Sequence, residues 1–169
     1  MSKAFTKDDS AEPPLVVPAR APLPAGLANY VTPRGLGLLR EELNRQKVER
    51  TQVDAIADPA ERRHAQALLA ARQAELEARL ASAVLVDPAT QPRDEVRFGA
   101  VVTVHTAAGV ARQYKLVGVD EADGAHGLVA FTAPLARALL GRRVGELATL
   151  RSPRGEEELE VVTIRYDDA

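Results

Sequence analysis

The fold is decided by the stretch from Thr32 to Asp87, which reads TPRGLGLLREELNRQKVERTQVDAIADPAERRHAQALLAARQAELEARLASAVLVD. Thr32-Pro33 is a helix start, because Thr is a good N-cap and Pro at the first helical position loses no hydrogen bond. Apolar residues then recur at helical spacing on both sides of a strongly polar segment, residues 44–52. They are Leu36, Leu39, Leu43, Val53 and Ile56. The pattern predicts a helical arm that projects into solvent or into a partner.

A second helix start follows after a very short turn. Asp58 is suited to be the N-cap, Pro59 to the first position and Glu61 to the place of a capping-box acid. The apolar stripe continues at Ala65, Leu68, Leu69, Leu76 and Leu80. Two helices joined by so short a turn must run antiparallel. We therefore predict an antiparallel coiled-coil hairpin over residues 30–87, with two carboxylates at its tip.

After Pro88 and Pro92 the pattern changes from helical to strand-like, which marks residues 88–94 as a linker. Strands are predicted over residues 100–105, 111–117, 127–132, 147–151 and 158–166, with a short helix from Pro134 to Leu140. We expect residues 95–167 to form a small α+β domain with an antiparallel sheet. Residues 1–29 hold five prolines and no sustained periodicity, which predicts a disordered arm.

Composition excludes several classes of protein. With no cysteine, the chain has neither disulfides nor thiolate zinc sites, as is typical of the cytoplasm. The net charge of −2 gives no global basic field for nucleic acid. No apolar run approaches the ~18 residues needed to cross a bilayer, and residues 1–10 lack the apolar core of a secretory signal. We expect a soluble cytoplasmic protein that does not bind membranes.

The C-terminal sequence carries an ordered series of short motifs between Phe98 and Tyr166. They are VGVDE at residues 117–121, APLARALL at 133–140, VGE at 144–146 and SPRGE at 152–156. Together with the hairpin opening YVTPRG at residues 30–35, this series resembles the GreA/GreB transcription elongation factors over about residues 30–167. The resemblance is closer to GreB than to GreA.

The resemblance implies a mechanism. An FKBP-like C-terminal domain docks on the rim of the RNA polymerase secondary channel, and the hairpin enters that channel. Acidic residues at the tip help to position a catalytic Mg²⁺ in the active site of the polymerase. The polymerase then cuts the 3′ end of a backtracked transcript. The protein would be a monomeric accessory factor and not an enzyme, with no cofactor of its own and no metal held by the protein alone.

Three sets of residues take roles from this resemblance. The tip carboxylates are Asp58 and Glu61, which a capped helix start would also require without any chemistry. The polymerase-docking surface comprises Thr132, Ala133, Pro134, Leu135 and Arg137. The residues that guide the 3′ end of the nascent RNA are Arg45, Lys47, Arg50, Arg62 and Arg63.

The departures from the family pattern leave other functions open. The family tip reads roughly Gly-Asp-x-Ser-Glu-Asn-Ala, whereas residues 57–63 read ADPAERR and keep only the two acids at their spacing. Each arm is shorter by about one heptad, which draws the tip back by roughly 10 Å. The Rnk proteins share a short hairpin, so a non-cleaving regulator of RNA polymerase or of nucleotide metabolism is an alternative. Prolyl isomerase activity is disfavoured, because the domain offers few aromatic side chains for a proline pocket: Phe98, Tyr114, Phe131 and Tyr166.

Overall fold

The computed structural model describes residues 20–166 of the chain. Its first part holds strand β1 (Asn29–Val31), helices α1 (Pro33–Asp54) and α2 (Pro59–Ala81), and strand β2 (Ala83–Leu85). Its second part holds β3 (Val101–Thr106), β4 (Ala111–Val117), β5 (Leu128–Ala130), α3 (Pro134–Leu139), β6 (Leu147–Ser152) and β7 (Gly155–Arg165). A helical hairpin followed by a small sheet confirms the predicted α+β class.

Both predicted helix starts of the hairpin are confirmed. The Thr32 hydroxyl accepts a hydrogen bond from Gly35 N at 2.9 Å, and Pro33 opens α1. The Asp58 carboxylate caps α2, which Pro59 opens. With 22 and 23 residues, α1 and α2 are each roughly 33–35 Å long at ~1.5 Å per residue. No helix within residues 20–166 combines the length and the apolar character that crossing a membrane requires.

A small parallel sheet, which the sequence does not predict, ties the two ends of the hairpin together. Asn29 pairs with Ala83, and Val31 pairs with Leu85. Parallel neighbours need a long crossover connection, and here the whole two-helix hairpin is that connection. The Asn29 amide also donates to Arg79 O at 2.9 Å, at the end of α2. The base of the hairpin is therefore closed by backbone pairing and by a buried side chain.

The seam between α1 and α2 has a polar residue in its middle. Leu39, Gln46 and Val53 follow one another at heptad spacing along α1, and all three are buried. The Gln46 side chain is 3% exposed, and neither Nε2 nor Oε1 has a hydrogen-bond partner within residues 20–166. Because an unpaired buried amide is destabilising, the middle of the seam is weaker than its base, where Leu39 packs with Leu76.

The five-stranded sheet has the order β5-β4-β3-β7-β6 and is antiparallel except at one edge. There β5 runs parallel to β4, with Leu116 opposite Val129. The sheet is thus mixed, which corrects the expectation of an antiparallel sheet: residues 118–127 carry the chain back along the sheet before β5 begins. Helix α3 covers the sheet with Ala136 and Leu139, which are fully buried.

Part of the predicted disordered arm is ordered. Of residues 1–29, residues 1–19 lie outside the described part of the chain. Arg20 contacts Glu42 on α1 and Asp120 in the second part, and Leu23 packs beside Phe98. The expectation of disorder is corrected for residues 20–28, because an ion pair and an apolar contact fix them.

The segment predicted as a linker, residues 88–94, begins with a 3-10 turn at Pro88–Thr90. Pro88 is buried against Gly99, whose φ is +87° and where a Cβ would come within 3.0 Å of the proline ring. Glycine is favoured there both by the backbone conformation and by the close approach. The start of this connection is therefore packed onto the C-terminal domain.

Tyr166 closes the C-terminal domain. Its hydroxyl donates to Glu95 O at 2.7 Å and accepts from Arg97 N at 2.9 Å. Burial raises the pKa of Tyr166 above its ordinary value of 10.0, although the hydrogen bond from Arg97 N opposes this shift. The folded protein therefore holds the neutral phenol more firmly than the unfolded chain does.

Replacing Gln46 by Leu should raise the free energy of unfolding by about 1–2 kcal/mol, because an apolar side chain of similar size removes an unpaired buried amide. Urea denaturation followed by circular dichroism measures the change. Lys47→Leu, at the exposed neighbouring position, is the matched control and should change stability by less than about 0.5 kcal/mol. Unchanged or lower stability of Gln46→Leu would contradict the unpaired amide.

Tyr166→Phe should lower the free energy of unfolding at pH 7 by about 1–3 kcal/mol, because Glu95 O and Arg97 N lose their partner. Since the folded pKa is raised, the phenol's contribution is fully present below the unfolded pKa of about 10 and is lost as pH rises through the folded pKa. The difference in free energy of unfolding between wild type and variant should therefore become smaller above pH ~10, as measured by urea titrations at a series of pH values. Tyr114→Phe is the control, because the Tyr114 hydroxyl makes no hydrogen bond within residues 20–166. A gap that stays constant into alkaline pH is the contrary result.

Candidate functional site

The tip of the hairpin presents both predicted carboxylates to solvent. Asp58 Oδ1 accepts from Ala60 N at 2.9 Å and from Glu61 N at 2.7 Å. Both hydrogen bonds use the same oxygen, so Asp58 Oδ2 accepts none from the described residues. Glu61 makes no side-chain hydrogen bond or ion pair within residues 20–166. The Asp58 carboxylate is therefore held in one orientation, whereas that of Glu61 is not.

The turn at the tip is closed by Arg62, one of the five residues predicted to guide RNA. Arg62 Nη1 donates to Ile56 O at 2.8 Å, across the turn. Beside it, Gln66 Nε2 donates to Asp54 Oδ1 at 2.7 Å and links α2 to the end of α1. Arg62 thus holds the turn together, and its guanidinium is engaged before any partner binds.

The other four basic residues are exposed but do not share one face of the hairpin. Successive residues of an α-helix are about 100° apart, so Arg45 lies about 160° from Lys47, while Lys47 and Arg50 are about 60° apart. The hydrogen bond between Gln66 and Asp54 shows which side of α2 lies next to which side of α1. On that side, Arg63 is one turn from Gln66 along α2, and Arg50 is one turn from Asp54 along α1. Lys47, Arg50 and Arg63 therefore form one basic flank, and Arg45 lies on the opposite flank.

The predicted docking residues lie together at the start of α3. Thr132 and Ala133 precede the helix, and Pro134, Leu135 and Arg137 belong to it. Pro134 and Arg137 are exposed, whereas Leu135 packs against the core of the domain. Ala133 is the N-cap and offers no side-chain hydrogen bond. The surface therefore consists of an exposed proline and an exposed arginine on a packed base.

A buried carboxylate fixes the base of the hairpin to the C-terminal domain. Glu121 Oε2 accepts from the Thr32 hydroxyl at 2.5 Å, and Glu121 Oε1 accepts from Arg34 Nη1 at 3.0 Å. A Cβ at Gly35 would lie 2.8 Å from Glu121 Oε2, so any larger residue there would have to displace this carboxylate. In the sequence Glu121 stands out only as the last residue of the VGVDE motif, because nothing in its neighbourhood along the chain reveals a partner 89 positions away.

Three aromatic rings strengthen the same junction. Tyr30 lies 5.7 Å from both Phe98 and Phe131, and the two phenylalanine rings are 5.6 Å apart, measured between ring centroids. They pack beside a groove of about 480 Å³, whose other lining residues include Glu95 and Arg97. Edge-to-face contacts of this kind are favourable beyond the area they bury. Two of the four aromatic residues considered for a proline pocket therefore stabilise the junction.

The tip fits a metal ion only as part of a larger coordination shell. Within residues 20–166 no group of three or more His, Cys, Asp or Glu side chains is placed to hold a metal. The tip offers two exposed carboxylates, and one oxygen of Asp58 is already engaged in capping. Carboxylate oxygens suit Mg²⁺, which requires six ligands in near-octahedral geometry. The remaining ligands would have to come from a partner.

The chain is similar to transcription elongation factors. Residues 91–166 match the family described as transcription elongation factor GreA/GreB, C-terminal. The transcription elongation factor GreA of Alkalilimnicola ehrlichii is 40% identical over 152 residues, which cover 80% of this chain and 96% of that protein. GreA of Methylococcus capsulatus is 38% identical with the same coverage. These relatives bear the name GreA, whereas the sequence resemblance favours GreB.

Solved structures with a similar chain are also elongation factors or their homologues. GreA/GreB from Nitrosomonas europaea has a TM-score of 0.41 at 20% identity and covers 83% of this chain and 99% of its own. GreA factor homolog 1 of Thermus thermophilus has a TM-score of 0.38 at 24% identity and covers 82% and 99%.

The extent of the sequence match bears on the length of the hairpin. Each of the two GreA alignments spans 152 positions and covers 80% of this chain. Because 80% of 169 residues is fewer than 152, some aligned positions hold a residue of the relative and none of this chain. The relatives therefore hold residues within the matched region that have no counterpart in this chain. A hairpin shortened in both arms would account for such a difference.

Two substitutions of Asp58 distinguish its role as a helix cap from the role of its negative charge. Asp58→Ala should lower the free energy of unfolding by about 1 kcal/mol, because it removes the acceptor of two backbone hydrogen bonds. Asp58→Asn should change the free energy of unfolding by less than about 0.5 kcal/mol, because Asn caps equally well. Urea denaturation of the three proteins measures this. Equal stabilities of Asp58→Ala and Asp58→Asn would contradict the capping role.

Proposed function

This chain belongs to the GreA/GreB family of transcription elongation factors, and on that premise we propose that it acts on RNA polymerase through the secondary channel. In this proposal the C-terminal domain docks on the channel rim, the α1–α2 hairpin enters the channel, and the tip assists hydrolysis of a backtracked transcript. The protein is an accessory factor, and the polymerase carries the active site. We propose that the protein acts as a monomer, because one hairpin suffices for one channel, and that it acts in the cytoplasm.

The observation that carries this proposal is the pair of exposed carboxylates at the end of a long polar hairpin. A magnesium ion held mainly by the polymerase supplies charge stabilisation and an activated water for phosphodiester hydrolysis. This chain contributes oxygen donors: Asp58 offers Oδ2 while Oδ1 keeps its cap, and Glu61 offers a carboxylate that can adapt its rotamer. Neither residue needs to leave its place in the helix.

The docking surface and the hairpin base support the same proposal. Pro134 and Arg137 are exposed at the start of α3, so they are accessible to a partner surface. The buried bond between Glu121 and Thr32 joins the docking domain to the first turn of α1. A domain that is anchored on the channel rim can therefore hold the hairpin in a defined direction.

The basic flank supports contact with the transcript. Lys47, Arg50 and Arg63 present three cations along one side of the outer half of the hairpin, and cations attract phosphate without regard to sequence. We propose this flank as the guide for the RNA 3′ segment. Arg45 lies on the opposite flank, and Arg62 acts through the turn that it closes.

A second candidate function is occupation of the channel without cleavage. The matched GreA relatives hold residues that have no counterpart in this chain, as a shortened hairpin would produce. A tip drawn back by roughly 10 Å cannot reach a metal whose ligand distances are ~2 Å unless the domain docks more deeply. Such a factor would compete for the channel and leave the transcript intact.

Transcript cleavage in a stalled, backtracked complex of the cognate polymerase tests the proposal. Wild type should accelerate cleavage, and Asp58→Asn and Glu61→Gln should each lower the rate at saturating factor by roughly 10²-fold, the scale for losing one group that stabilises a transition state. Both variants keep the helix start, so a loss of rate reports the lost charge. Glu41→Gln, an exposed acid on α1 away from the tip, is the matched control and should retain the rate.

The outcomes separate the two candidates. If wild type does not accelerate cleavage but displaces a known cleavage factor, the channel-occupying function holds and the cleavage proposal is wrong. If wild type does not bind the polymerase, both are wrong. Pro134→Ala with Arg137→Gln should raise the half-maximal concentration of factor and leave the saturated rate unchanged, as expected for a docking surface.

A further inference from the structure

Arg20 bridges two carboxylates that belong to different parts of the molecule. Its Nη1 donates to Asp120 Oδ1 at 3.0 Å, and its Nη2 donates to Glu42 Oε1 at 2.5 Å. Glu42 lies on α1, and Asp120 lies in the loop between β4 and β5. Only a planar guanidinium offers separate donors to both acceptors in one plane. Arg20 therefore joins the hairpin directly to the C-terminal domain.

A second arginine completes the group from the other helix. Arg79, near the end of α2, places Nε 3.3 Å from Asp120 Oδ2, which is an ion-pair contact without hydrogen-bond geometry. Its Nη2 donates to Ala21 O at 2.5 Å, next to Arg20. Asp120 thus faces one cation from the segment before the hairpin and one from the end of the hairpin.

The group is charge-balanced and largely buried. Two arginines meet two carboxylates, and the side chains of Asp120, Arg79 and Arg20 are 8%, 11% and 19% exposed. Although burial works against it, the hydrogen bonds to Glu42 and Asp120 raise the pKa of Arg20 above its ordinary value. Arg20 is therefore charged at every working pH, and its removal would leave Asp120 with Arg79 alone and take from Glu42 its partner in this group.

Because this group lies at the base of the hairpin, it can set the direction in which the hairpin points. It lies at the base of a hairpin roughly 33 Å long, where a change of about 10° moves the far end by about 6 Å. Glu121 holds the first turn of α1 from one side, with Thr32 and Arg34. The Arg20 group adds a separate attachment at Glu42, two turns further along α1. Together with the ring contacts of Tyr30 at the base, two attachments separated along α1 restrict the direction of the helix more than attachment at its first turn alone.

We propose that Arg20 is a positioning residue: by tying Glu42 of α1 to Asp120 of the C-terminal domain, it sets the angle of the hairpin and hence where Asp58 and Glu61 lie in the polymerase channel. The part of this proposal that concerns the channel rests on the proposed function; the part that concerns the angle does not. Arg20 touches neither the transcript nor the metal, and it acts through the hairpin.

Distances in the free, full-length protein test the angle. Because the chain has no native cysteine, Ala57→Cys at the tip and Ala108→Cys in the exposed β3–β4 turn accept two spin labels without competing sites. Double electron–electron resonance should give one narrow distance distribution in the wild-type background and a wider or shifted one with Arg20→Gln. Arg154→Gln removes the same charge from the exposed β6–β7 turn and should leave the distribution unchanged. Arg20→Lys, which keeps the charge but not the planar fork, should lie between.

Transcript cleavage with unlabelled protein tests the consequence. Arg20→Gln should lower the rate at saturating factor by roughly tenfold, because displacement of a reacting group by even 1 Å is costly. The half-maximal concentration should stay within about twofold, since the docking surface is intact, and Arg20→Lys should recover part of the rate. A merely destabilised protein would behave differently, because adding more factor would restore its rate.

Each outcome decides one claim. If Arg20→Gln leaves the distance distribution as narrow as in Arg154→Gln, Arg20 does not set the angle. If the distribution widens but the saturated rate is unchanged, the angle does not govern the chemistry, and the proposal is overturned at that step. If wild type itself does not stimulate cleavage, the proposed function fails, and the distance measurement alone still decides what Arg20 does.

Discussion

The attachment of the hairpin to the C-terminal domain centres on one hydrogen bond, that from the Thr32 hydroxyl to the buried Glu121 carboxylate. The same hydroxyl accepts from Gly35 N, so the residue that starts α1 also attaches it to the C-terminal domain. Arg34 pairs with the other oxygen of Glu121, which supplies the countercharge that a buried carboxylate needs. Replacing Thr32 would therefore remove the cap of α1 and this attachment together, whereas replacing Glu121 would remove the attachment and leave the cap.

From that point the hairpin becomes less firmly held with distance. At the base, the paired strands β1 and β2, the aromatic rings and two ion-pair groups act together. Further out, the seam depends on a few apolar residues interrupted by Gln46, and at the tip on single hydrogen bonds such as that from Arg62 to Ile56 O. The interactions that join distant parts of the chain are therefore concentrated at the end opposite the carboxylates. Local stability follows contact density, so motion of the tip relative to the base is the expected low-energy deformation of this fold.

Local signals in the sequence predicted the helices well, because Thr32-Pro33 and Asp58-Pro59 contain both the cap and the first helical residue of each helix. The interactions that join the parts were not predictable in this way. Glu121 and Thr32 are 89 positions apart, and Arg20 and Asp120 are 100 apart, so no periodicity connects them. Strands of three residues, such as β1 and β2, are too short to show alternation. Helical spacing alone separates Arg45 from Lys47 and Arg50, whereas the placement of Arg63 required the Gln66–Asp54 contact between the helices. The engagement of Arg62 likewise required knowledge of the turn.

The two tip carboxylates are chemically unequal, and the cap is the reason. Two backbone N–H groups bind one oxygen of Asp58, which fixes its side chain and also draws negative charge toward that oxygen. The second oxygen is thereby presented in a constant direction, but it is a weaker electron-pair donor to a metal ion than an oxygen of a free carboxylate. Glu61 has the opposite character: it keeps its full charge on a longer side chain, and it loses conformational entropy when it is ordered by a partner. A tip built in this way combines one oriented ligand with one adaptable ligand. Both carboxylates move with the hairpin, but Asp58 cannot change its rotamer without losing its cap, so an error in hairpin direction affects Asp58 more than Glu61.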